Sequence, residues 1–113
     1  MRTYRVLVTP TAETSIRDAF RYIQERSPLD AERWLLEFQH ALATLERHPE
    51  RCPPAPESQY LACTLRHLLF HSHRIVYRIE AEPAIVRVLY IRHMAQRAAG
   101  EPVAEGSGEV SEA

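Results

Sequence analysis

Six arginines and four histidines fall between Arg66 and Arg97, a stretch with only two acids, Glu80 and Glu82. A guanidinium fork grips phosphate or carboxylate oxygens in pairs. An imidazole, with an unperturbed pKa of about 6.5, gives or takes a proton near neutrality. Such a set describes a cationic surface suited to a phosphate-rich or acidic partner. His67, His71 and His73 cluster at one turn and His93 follows later, but no carboxylates stand at ligand spacing, so no metal is expected. Cys52 and Cys63 match no zinc or redox spacing, and no cofactor is expected either.

Three strand-like runs carry these side chains: Ala62 to Phe70, His73 to Ile79 and Ile85 to Arg92, joined by links of hairpin length. Tyr77 alternates with Ile75 and Ile79, which assigns it to a core face. Upstream, Tyr4 to Val8 is a short β-rich run ended by Thr9-Pro10, with Pro10 at a first helical position and Thr9 as its cap. Ala12, Ile16, Ala19, Phe20 and Ile23 then recur at helical spacing to about Arg26. Ser27-Pro28-Leu29-Asp30 opens a second helix with a capping box. Its apolar stripe, Ala31, Trp34, Leu35, Phe38, Leu42 and Leu45, ends at His48-Pro49. So short a turn makes the two helices antiparallel neighbours. Residues 49–60 contain four prolines and read as a loop without regular pairing. The order β-α-α-β-β-β describes an α+β domain, a helical hairpin packed on one face of a small, mostly antiparallel sheet.

The chain has 113 residues, room for one domain. Its formal charge of −1 averages two unlike regions. From Gly100 onward Glu101, Glu105, Glu109 and Glu112 stand without a base, so residues 1–99 are expected to be the domain and 100–113 a disordered acidic tail. Without those four acids, 14 basic residues face 11 acidic ones, and every base is arginine. With no signal peptide and no long apolar run, a cytoplasmic, reduced setting away from membranes is expected.

Several segments in this order resemble the RelE/ParE family of toxins from bacterial type II toxin–antitoxin systems. They are Tyr4-Arg5-Val6-Leu7-Val8-Thr9-Pro10 with Ala12, Ile16 through Tyr22-Ile23, and the Pro28 to Ala31 turn. Leu45-Glu46-Arg47-His48-Pro49 and Arg66-His67-Leu68 follow. The strongest are His73-Arg74-Ile75-Val76-Tyr77-Arg78-Ile79 and Val88-Leu89-Tyr90-Ile91-Arg92-His93. The resemblance spans about residues 3–98. It implies a growth-arresting toxin that forms a hetero-oligomer with a cognate antitoxin. Its target is either DNA gyrase, inhibited without RNA cleavage, or mRNA, cut on the ribosome.

Metal-independent RNA cleavage needs a base for the 2′-hydroxyl, cations for the phosphorane and an acid for the leaving oxygen. By resemblance, Arg74 falls where RelE-like enzymes contact the scissile phosphate, and His93 where some members place a histidine. Arg66 would complete the phosphate clamp. The structural alternative for Arg74 is an exposed cation or an ion pair with Glu80 or Glu82. RelE-like enzymes also typically carry a lysine cluster before the sheet and a late tyrosine. This chain has no lysine, and no tyrosine follows His93. Those departures favour the ParE-like branch, with Arg92, His93 and Arg97 binding gyrase. A degenerate homologue that binds an antitoxin and poisons nothing is the third reading.

Overall fold

The computed structural model describes residues 2–61 and 63–94. Strand β1 (Arg5–Val8) leads into α1 (Pro10–Arg26) and α2 (Pro28–Thr44), and β2 (Arg66–Phe70), β3 (His73–Glu80) and β4 (Ile85–His93) complete the fold. The sheet order is β1-β4-β3-β2. The last three strands form an antiparallel meander, and β1 lies parallel to β4 from Arg5↔Ile85 to Val8↔Val88. The expected α+β arrangement is the one observed.

Each helix starts where its cap chemistry dictates. The Thr9 hydroxyl accepts from the Ala12 amide with Pro10 in the first turn, and the Ser27 hydroxyl accepts from Asp30 with Pro28 behind it. Ser27 also donates its own amide to Ile23 at 2.8 Å, so one residue closes α1 and opens α2. The two helices cover one face of the sheet. Trp34 stacks on Phe38 with centroids 5.4 Å apart, and Phe70 meets both edge-on. Ile75, Tyr77, Val86 and Val88 are wholly buried beneath them. Tyr77 donates its hydroxyl to the Pro49 carbonyl, which satisfies its polar end inside the core.

The segment read as an irregular loop contains two 3-10 turns, Pro49–Arg51 and Pro56–Tyr60, and a β-bridge between Pro54 and Arg66. Proline at the head of each turn explains this, since its fixed φ suits a helical start. The segment covers the second face of the sheet, where Ala55 and Leu65 pack on Val76 with Leu89 and Tyr90. β2 begins at Arg66, four residues later than expected; Ala62 lies outside the described residues. The acidic stretch 100–113 also lies outside them.

Candidate functional site

One irregularity decides what the cationic strands present. β3 and β4 pair His73↔His93, Arg74↔Arg92, Ile75↔Ile91 and Val76↔Tyr90, but the next pair is Tyr77↔Val88. Leu89 is therefore an extra residue, a β-bulge. A one-residue shift swaps the faces of everything beyond it. Leu89 and Tyr90 both pack on the second face, Ile91 returns to the helix-side core, and Arg92 and His93 point to opposite sides.

Arg74 lies on the second face and is 7% exposed. Its two terminal nitrogens reach the two Glu57 carboxylate oxygens at 3.0 Å each. Tyr90 donates its hydroxyl to Glu57 at 2.9 Å, and His67 Nδ1 lies 3.2 Å from the guanidinium. Burial would raise the Glu57 carboxyl, but the Arg74 hydrogen bonds, helped by Tyr90 and the Arg74 charge, hold it below the ordinary value. Burial and the Glu57 carboxylate together push the Tyr90 hydroxyl up, so it stays a proton donor. The expected ion pair of Arg74 with Glu80 or Glu82 is thus replaced by one with Glu57. Glu80 instead takes Arg87 at 2.8 Å and Arg78 at 3.0 Å, which pull its carboxyl down to about 2. Glu82 pairs with Arg2.

Most of the expected cationic surface is consequently tied up within the molecule. Arg66 donates to the Cys52 carbonyl at 2.6 Å. Arg92 lies over the Tyr90 ring, 5.2 Å from its centroid, and its Nε is buried without a hydrogen-bond partner among the described residues. Arg97 lies outside the described residues.

Arg66, Arg74 and His93 do not converge. Arg66 pairs with Tyr77 and His93 with His73, both on the helix side, whereas Arg74 faces the other way. Tyr77 and His73 stand four residues apart on β3, roughly 13 Å at strand rise, and Arg66 and His93 lie further apart still, on the strands either side of β3.

His93 instead borders a cleft of about 600 Å³ between α1 and the end of the sheet. Asp18, Tyr22, Trp34, His71 and His73 also line it. The His73 and His93 rings meet edge-on at 5.3 Å, and His71 contacts Glu37 at 2.7 Å. Burial, then the neighbouring His93 and His71, lowers the His73 pKa. Its Nδ1 is buried with no partner among the described residues. No three His, Cys, Asp or Glu side chains among those residues are grouped as metal ligands would be. Glu57 and the bulge were not foreseen as parts of the site. The one hint in the sequence was a carboxylate amid prolines, upstream of an arginine-rich stretch short of acids.

Compared with known families, residues 6–98 match the ParE toxin of type II toxin–antitoxin systems. The chain belongs to that family. Among solved structures, this ParE-family toxin is similar to a chain of the RelBE2 toxin–antitoxin complex from Mycobacterium tuberculosis. The identity is 24%, covering 82% of this toxin and 93% of that chain, with a TM-score of 0.55. A chain of the archaeal RelE–RelB complex from Pyrococcus horikoshii OT3 is 16% identical, covers 84% and 99%, and has a TM-score of 0.49. No curated protein sequence matches the toxin significantly. Among the described residues no helix is long and apolar enough to cross a membrane.

Proposed function

We propose that this toxin arrests growth by binding DNA gyrase through protein–protein contact, as the ParE-like branch does, and cleaves no RNA itself. The observation that carries this reading is the Arg74–Glu57 pair. A nuclease built on Arg66, Arg74 and His93 needs all three around one phosphate. Here Arg74 is buried with both terminal nitrogens on a carboxylate, on the other face from its supposed partners. The working end in this reading is the tip of β4, with Arg92, His93 and the following Arg97.

A cognate antitoxin neutralises the toxin in the cytoplasm, as family membership suggests. An acidic or amphipathic segment lying across the helical hairpin or the sheet edge suits this role. The cleft beside His93 supports such a seat, because Tyr22 lines it and is 58% exposed.

The test is supercoiling by purified gyrase with micromolar toxin, with and without the Arg92→Ala change. Inhibition that weakens in the variant is the expected result. Untouched supercoiling, with codon-positioned mRNA cleavage on translating ribosomes that is lost in Arg74→Ala, would overturn the reading.

A further inference from the structure

The β4 bulge decides which side Arg92 and His93 serve, so whatever holds the bulge also aims the end of the strand. Two hydroxyls do so, one on the α1 cap Thr9 and one on Ser15 within α1. Thr9 donates its hydroxyl to the carbonyls of Val88 at 2.9 Å and Leu89 at 3.2 Å, and its amide also reaches Val88 at 3.1 Å. Ser15 accepts from the Ile91 amide at 3.0 Å and donates its hydroxyl to the Ala12 carbonyl at 3.0 Å. The extra residue is therefore clamped on both sides by side chains from the cap and the first turns of α1. A bulge interrupts the ladder and leaves backbone groups that need such outside partners.

We propose that Thr9 and Ser15 are positioning residues, which fix the β4 bulge and through it set Arg92 on the Arg74 face and His93 at the cleft. Their relevance to the target rests on the gyrase reading above; the positioning itself does not. Without the bulge, pairing would run on from Tyr77↔Val88 to put Arg92 opposite His73 and Ile91 opposite Arg74. The cation would then enter the helix-side core and an apolar side chain would leave it. The clamp closes off that alternative.

Thr9 has a second duty as the α1 cap, and the two are separable by chemistry. Aspartate at this position still accepts the Ala12 amide but, ionised, has no proton for the Val88 and Leu89 carbonyls. Serine can do both. The experiment is amide exchange and cross-strand NOE measurement on the full chain, for Thr9→Ser, Thr9→Asp and Ser15→Ala, with Phe38 as the reference amide. In Thr9→Asp, exchange at Leu89 to Ile91 is expected to rise about tenfold over the reference and the His73–His93 NOE to weaken, while Thr9→Ser stays within about twofold. Ser15→Ala is expected to expose the Ile91 amide in the same way, and it decides the matter if Thr9→Asp does not fold. Protection at Ile91 unchanged in Ser15→Ala, or a rise no greater than that of Phe38, overturns the proposal. These readouts involve no partner, so failure of the gyrase reading leaves them untouched.

Discussion

Arg74 and Glu57 stand seventeen residues apart in the chain and meet through two contacts of 3.0 Å with almost no exposed surface. This buried ion pair ties the proline-rich segment to the central sheet, beside the Tyr77–Pro49 and Arg66–Cys52 hydrogen bonds. Removing one member leaves the other charged and unpaired, whereas replacing both with apolar groups is far milder. Glu57→Ala is therefore expected to cost about 3–5 kcal/mol. A Glu57→Leu/Arg74→Met double variant should recover most of that. Urea unfolding of the three proteins measures it, and equal losses in the single and double variants would contradict the reasoning.

Tyr90→Phe removes only the hydroxyl that donates to Glu57. A hydrogen bond to a charged group is worth about 2 kcal/mol, and that loss is expected in the same unfolding assay. Combined with Glu57→Ala, the tyrosine change should add almost nothing, since the two share one interaction.

Acid should weaken the fold in two stages. His67 and His73 both have folded pKa values below their ordinary 6.5, chiefly through burial, so their contributions are complete above that value and are lost as pH falls through 6.5 toward the folded values. Glu57 and Glu80 are both held below their ordinary 4.5, Glu80 at about 2, so they stabilise above 4.5 and fail as pH falls below it. Thermal unfolding from pH 7.5 to 3 checks this. His73→Gln should shrink the upper stage to the share of His67 and leave the lower one intact.

Phe38 and Arg92 should separate folding from poisoning. Phe38 is 2% exposed and packed against Trp34 and Phe70, so Phe38→Ala is expected to cost about 3–5 kcal/mol. Arg92→Ala forfeits its contacts with Tyr90, about 1 kcal/mol. It should nonetheless weaken gyrase inhibition about tenfold or more, as loss of an interface arginine does. Wild-type inhibition by a folded Arg92→Ala protein would remove Arg92 from the working end.

Much of this fold was legible in the sequence because its helices and strands follow plain periodicities. The stripe through Trp34 and Phe38 and the alternation about Tyr77 identify core positions directly, and Thr9 and Ser27 cap the helices expected of them. The site was much less so. Val88-Leu89-Tyr90-Ile91 is an unbroken apolar run with no glycine to betray an extra residue, yet the bulge within it separates His93 from Arg74. Glu57 was equally hidden. Its partner is set by how a proline-rich segment folds over the sheet, a tertiary matter on which local spacing is silent. Counting acids only between Arg66 and Arg97 therefore overstated how much free positive charge the strands would show.

Because β1, among the described residues, has β4 as its strand partner, residues 5–8 must wait for residues 85–88 before the sheet can close. β4 is also an inner strand, flanked by β1 and β3. Contacts this distant form late, since chain entropy must be overcome first. A nascent fragment ending before residue 85 lacks the middle of its own sheet and the arginine at its tip. A chain cut short before β4 therefore has neither a closed sheet nor a tip to present.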